Sequence, residues 1–163
     1  MLPLSEEILR ASFVNASRRE LNDVTLPAGF ADLDFDRLDY LGWRDPRMPR
    51  RGLLVVPVEG EPVGVILKQA EASPRSRAQC AWCQDVTLPN DVVLYSAKRA
   101  GAAGRNGNTI GTLLCANFEC SANVRKLPPM AYIGFDAEAA RERRISVLRE
   151  HASAFAADVR LGA

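Results

Sequence analysis

Near the start of the chain, Ile8, Leu9, Ser12, Phe13 and Ala16 fall on one face at helical spacing, behind Ser5-Glu6-Glu7. The Ser5 hydroxyl can cap free amides and the two acids oppose the positive end of the helix dipole, which predicts a first helix over 5–20, stopped before Pro27. From Asp32 to Tyr40, acids alternate with Leu33, Phe35 and Leu38, a pattern that fits either a short helix or an irregular segment. At Leu53 the pattern changes to LLVVPV and PVGVILK, β-branched runs separated by Glu59, Gly60 and Glu61, which is hairpin chemistry. Pro57 and Pro62 cannot donate ladder hydrogen bonds, so they belong at an edge, a bulge or a strand start.

After a polar connection over 71–79, DVVLYSAKR alternates as a strand, AGAAGRNGN reads as a glycine-rich turn and TIGTLLC as a second strand. ANFECSANVRK then has helical spacing up to Pro128 and Pro129, whose missing amides end it. Asp136 can cap a closing amphipathic helix of about 24 residues, in which Ile145, Leu148, Ala152, Phe155 and Val159 recur at three- and four-residue steps. The expected fold class is α+β: β-hairpins flanked by an N-terminal and a C-terminal helix, within a single domain over 1–163, in which the close pairs Cys80/Cys83 and Cys115/Cys120 mark an embedded treble-clef zinc finger at about 78–128.

Two close cysteine pairs change the picture. Cys80-Ala81-Trp82-Cys83 is a knuckle in which two thiolates can grip one tetrahedral ion, and Cys115 and Cys120 suit a strand end and the first turn of the next helix. Knuckle, hairpin, then a helix carrying the last ligand is the treble-clef arrangement, and the pairs account for every cysteine in the chain. Four thiolates fill the coordination sphere of one structural Zn2+ per chain and leave no position for substrate. A lone Cys-x-x-Cys also fits thiol redox chemistry, but two pairs in a chain expected in the cytoplasm favour metal. That localisation is expected because MLPLSEEILR carries acids where a secretory signal carries basic residues. No apolar run is long enough to span a membrane.

Charge is nearly balanced at +1 but unevenly distributed. Residues 1–45 carry nine acids and five basic residues, whereas 46–130 carry eleven basic residues and six acids. Arg75, Arg77, Lys98, Arg99, Arg105, Arg125 and Lys126 flank the cysteines in sequence, as a solvated surface or as the contact for an acidic partner, protein or RNA. Catalysis is not expected. The single histidine, His151, lies in the closing helix without a nucleophile pattern, and the glycine-rich tip lacks the Gly-Lys-Ser/Thr ending of a phosphate loop.

Tyr40-Leu41-Gly42-Trp43, the CAWC knuckle, the tract AKRAGAAGRNGNTIGT and the closing CANFEC are similar to the treble-clef zinc-finger domain of elongation factor G-binding proteins, the family of FusB-type fusidic acid resistance proteins. The resemblance implies a zinc-stabilised α/β domain with Cys80, Cys83, Cys115 and Cys120 as ligands. It also implies docking on elongation factor G and promotion of its release from the ribosome. A protein-binding surface would use Tyr132, Phe135, Lys98, Arg99 and Arg125 as anchors, since aromatic and arginine side chains dominate interface energetics. An RNA- or ribosome-binding surface would instead set Arg75, Arg77, Lys98, Arg99, Arg105 and Lys126 against phosphates. Tyr132 and Phe135 have a second reading, packing under the closing helix. Trp43 is expected to be structural, covering the hairpin, with Gly42 permitting close backbone approach.

Overall fold

The computed structural model describes residues 1–72, 78–85 and 91–162. Arg75 and Arg77 therefore lie outside the described residues. The framework is a five-stranded antiparallel sheet of β1 (Leu41–Arg44), β2 (Arg51–Val58), β3 (Glu61–Gln69), β4 (Val92–Lys98) and β5 (Thr109–Cys115), ordered along the sheet as along the chain. The β2–β3 hairpin turns on Glu59 (φ 54°) and Gly60 (φ 86°), a left-handed pair that matches strand twist. Pro57 and Pro62 face each other beside this turn, where β2 has already run past its partnership with β1, so neither ring removes a bond from the central ladder.

The continuous apolar run of β2 is explained by burial on both faces. Leu54, Val56 and Val58 join a core with Tyr40, Trp82 and α5 (Ala137–Leu161), whereas Leu53 and Val55 join Leu9, Phe13, Val24, Leu41 and Trp43 on the opposite face. In β4, Val93, Tyr95 and Ala97 are buried while Leu94 and Lys98 are exposed, as one-sided covering predicts. The closing helix has the predicted cap: Ala139 N–H donates to the Asp136 carboxylate at 2.9 Å, and Ile145, Leu148, Ala152, Phe155 and Val159 are all buried. Trp43 is buried as expected, its Nε1–H donating to Thr25 O at 2.9 Å and its ring edge-on to Phe13.

Three expectations are corrected. The first helix is not continuous over 5–20 but splits into α1 (Glu6–Ala11) and α2 (Arg18–Asn22). Between them the chain runs beside β3: Val14 N–H donates to Gly64 O and Gly64 N–H to Ser12 O, both at 2.9 Å. Gly64 permits this approach, because a Cβ there would lie 2.8 Å from Phe13 N. Ser17 and Glu20 then form a capping box that starts α2 afresh. The glycine-rich tip between β4 and β5 is not only a turn, since Gly101–Arg105 forms a short helix, α3. The helix after Cys115 begins at Cys120 (α4, Cys120–Arg125), because Phe118 is left-handed with φ 63° and interrupts the chain before it. Asp32–Tyr40 resolves into two single-turn 3-10 segments, Phe30–Asp32 and Phe35–Arg37, in an otherwise irregular connection.

Candidate metal centre

Three elements deliver the four thiols. The knuckle is closed by Gln84 N–H donating to Cys80 O at 3.0 Å, with Gln84 left-handed at φ 55°, and is tied to the sheet by Ala81 N–H donating to Leu113 O at 2.8 Å. Cys115 ends β5 and Cys120 opens α4, so the ligands come from turn, strand end and first helical turn as their spacing predicts. All four cysteines are buried, and their Sγ atoms lie within 4.8 Å of one another.

The donor set fits zinc. A tetrahedron with zinc–sulfur bonds of about 2.3 Å has sulfur–sulfur edges of about 3.8 Å. The distances are 3.6 Å for Cys80–Cys120 and 3.7 Å for Cys83–Cys115. Hydrogen bonds among the four packed thiols divide them: those from Cys115 and then Cys120 hold the Cys80 and Cys83 thiols below the ordinary thiol range, while Cys115 and Cys120 are pushed up. Asn123, one turn into α4, donates its side-chain amide to Cys115 Sγ at 3.6 Å, an orienting contact of the kind that stabilises thiolate charge. The Tyr40 hydroxyl donates to Phe118 O at 3.3 Å; burial, and then the charge of Cys120 beside it, push its phenol well above the usual range. With four sulfurs and no open position, the site is a structural zinc centre, one per chain.

The centre is joined to the core by side chains that spacing alone does not reveal. Trp82, inside the knuckle, lies between Tyr40 (ring centroids 5.1 Å apart) and Phe155 of α5 (5.6 Å). Phe118 stacks on Tyr95 at 5.2 Å and covers Gly42 and Gly52 so closely that a Cβ at either glycine would lie 2.7 Å or 2.6 Å from it. A fully buried carboxylate, Asp39, accepts from Arg125 Nη1 at 2.5 Å and Arg149 Nε at 2.8 Å, while its backbone N–H donates to Ser121 Oγ at 3.0 Å. The YLGW tract is the sequence signal for Tyr40 and Gly42; nothing local marks Asp39 as the partner of an arginine 86 positions away.

The remaining sequence candidates do not form one patch. Lys98 and Arg105 are exposed, but Arg99 donates to Asp158 O at 2.8 Å and Arg125 is engaged with Asp39. Tyr132 is 66% exposed, in edge-to-face contact with half-buried Phe135, just before α5 starts. Packing under the closing helix is thus excluded for Tyr132. Arg99 meets α5 near its far end, about 30 Å along the helix from Phe135 at 1.5 Å per residue.

The family described as the FBP C-terminal treble-clef zinc-finger matches residues 8–159, and the chain belongs to that family. The structure of the fusidic acid resistance protein FusC superposes with a TM-score of 0.56 at 18% identity, over 76% of this chain and 53% of that one. The chain thus spans about half the length of FusC. No curated protein matches the sequence. Among the described residues no helix is long and apolar enough to cross a membrane.

Proposed function

We propose that this chain is a zinc-stabilised binding protein of the translation apparatus that docks on elongation factor G and promotes its release from the ribosome, acting by binding and not by catalysis. The observation that carries this reading is the segment directly after the finger: Leu127, Met130, Tyr132 and Ile133 are 55%, 78%, 66% and 102% exposed. A run of large apolar side chains held in water between α4 and α5 has no role in the core, and such contiguous exposure marks a protein-binding surface. Membership of the FBP treble-clef family supports elongation factor G as the partner. The RNA- or ribosome-binding alternative loses Arg99, which is engaged within the fold, although Lys98, Arg105 and Lys126 stay exposed.

The test is calorimetric titration of elongation factor G with the zinc-loaded chain. Tyr132→Ala with Ile133→Ser should abolish the heat of binding, since buried aromatic anchors dominate interface energy, while melting stays within about 2 °C, because both side chains face water. Absence of binding by the unaltered chain at low salt, with retention of ribosomal RNA, would replace this reading by the RNA alternative.

A further inference from the structure

Across the sheet from α5 lies an open cleft of about 580 Å³ that the zinc centre and the 127–135 segment do not touch. Its floor is the uncovered face of β3, β4 and β5, and its walls are the start of α2 and the turn preceding β2. Met48, Pro49 and Ile66 supply apolar lining, and Arg50, Lys68 and Lys98 supply positive charge. The volume falls within the roughly 300 to 1,000 Å³ typical of small-ligand sites, which are mostly apolar with a few convergent polar groups.

The charges are not equivalent. Arg50 pairs with Glu71 and Arg51 with Asp45, but among the described residues no ion pair engages Lys68 or Lys98. Lys68 stands opposite Ser96 in the β3–β4 register, two residues from Lys98 on the same face. The strands diverge toward Lys98, but both lysines line the same cleft, and their flexible stems let the two ammonium groups converge on one anionic head. Glu20 faces Lys98 and Glu71 acts on Lys68, but Glu20 is bonded to the Ser17 amide at 2.8 Å in the capping box and Glu71 is paired with Arg50 at 2.8 Å.

We propose that this cleft binds a small organic anion with an apolar body. Its carboxylate or phosphate head sits between Lys68 and Lys98, and its body lies against Met48, Pro49 and Ile66. A peptide is disfavoured because the floor offers its backbone little: the Asn15 amide is engaged with Ile66 and Lys98, and Ser96 Oγ donates to Lys68 O. A nucleic acid is disfavoured because, among the described residues, no aromatic ring lines the cleft for a base to stack on. An apolar body needs no hydrogen bonds, and the lysine stems extend the surface that covers it.

The experiment titrates the isotope-labelled, zinc-loaded chain with octanoate, octyl phosphate and octanol while amide shifts are followed. At least one anion should give saturable shifts centred on Ile66, Lys68, Ser96 and Lys98, and the better of the two identifies the head. Octanol should bind at least about tenfold more weakly, as should the better anion to the Lys68→Gln, Lys98→Gln chain, given the usual strength of charge-assisted hydrogen bonds. Circular dichroism verifies that this chain is folded, which is expected because both positions are exposed. Octanol binding as tightly as the anions, shifts centred on 127–135, or no saturable shift with either anion would overturn the proposal. None of these outcomes depends on elongation factor G.

Discussion

The side-chain amide of Asn15 takes the place of a missing strand beside Ile66. Its Oδ1 accepts the Ile66 N–H at 2.9 Å, and its Nδ2 donates to Ile66 O at 3.0 Å and to Lys98 O at 2.9 Å. β3 and β4 pair only at Lys68–Ser96 and Gln69–Tyr95, so beyond that point the strands diverge and Asn15 fills the gap. Asn15→Ala removes all three bonds and leaves partly buried backbone groups without partners, at an expected cost of about 2 kcal/mol in urea denaturation. Asn15→Asp keeps the acceptor and loses the donor, and should be at least as unstable as Asn15→Ala at neutral pH, with a carboxylate facing two carbonyls.

Phe118 makes Gly42 and Gly52 obligatory. Gly42→Ala forces the new methyl against Phe118 and Tyr40, whose atoms lie 2.7 to 2.9 Å from it, so overpacking should cost roughly 1 to 3 kcal/mol. In a Phe118→Ala background the same substitution should cost measurably less. A double-mutant cycle by thermal melting reads the coupling, and additive effects would show that Phe118 is not the obstacle.

Zinc content should be close to one per chain, and Cys115→Ser should lower both zinc content and melting temperature, because metal-binding free energy becomes folding free energy. The pH dependence has a definite sign. Zinc binds thiolates, so acid competes with the metal for the four sulfurs, and the stability that zinc supplies fades as pH falls. Zinc content and melting temperature of the zinc-loaded chain should therefore fall together on the acid side, and at a higher pH for Cys115→Ser than for the unaltered chain.

The two arginines on Asp39 should behave differently. Arg125 is 20% exposed and Arg149 59%, whereas the carboxylate they share is fully buried. Arg125→Ala strands much of a buried charge and should cost about 3 kcal/mol. Arg149→Ala removes a solvent-screened partner and should cost about 1 kcal/mol or less. Equal losses, measured by urea denaturation, would show that burial does not rank the pair.

What could be read from the chain divides along the distance over which each interaction acts. The zinc ligands, the β2–β3 hairpin and the closing helix were legible because their signals are local: thiol spacing, a Glu-Gly turn between β-branched runs, and a capped apolar stripe. The split of the first helix was not, because Ser12–Val14 leave helical geometry to bond Gly64, some 50 positions away, and tertiary pairing overrides spacing. Ser17-x-x-Glu20 did carry the restart in plain form. Arg125 reads from sequence as an interface anchor because arginine dominates such surfaces, and only the fold brings it to Asp39.

The strands lie side by side in the order in which they occur along the chain. The β2–β3 hairpin, closed by a two-residue turn, can therefore form from neighbouring segments, whereas β3 and β4 must meet across the connection that carries the knuckle. The thiols differ: 31 residues separate Cys83 from Cys115, and that loop must close before the four can meet. Metal capture should accordingly come late and act as a latch on a register already set, so that zinc removal would show first as faster unfolding and only weakly as slower refolding.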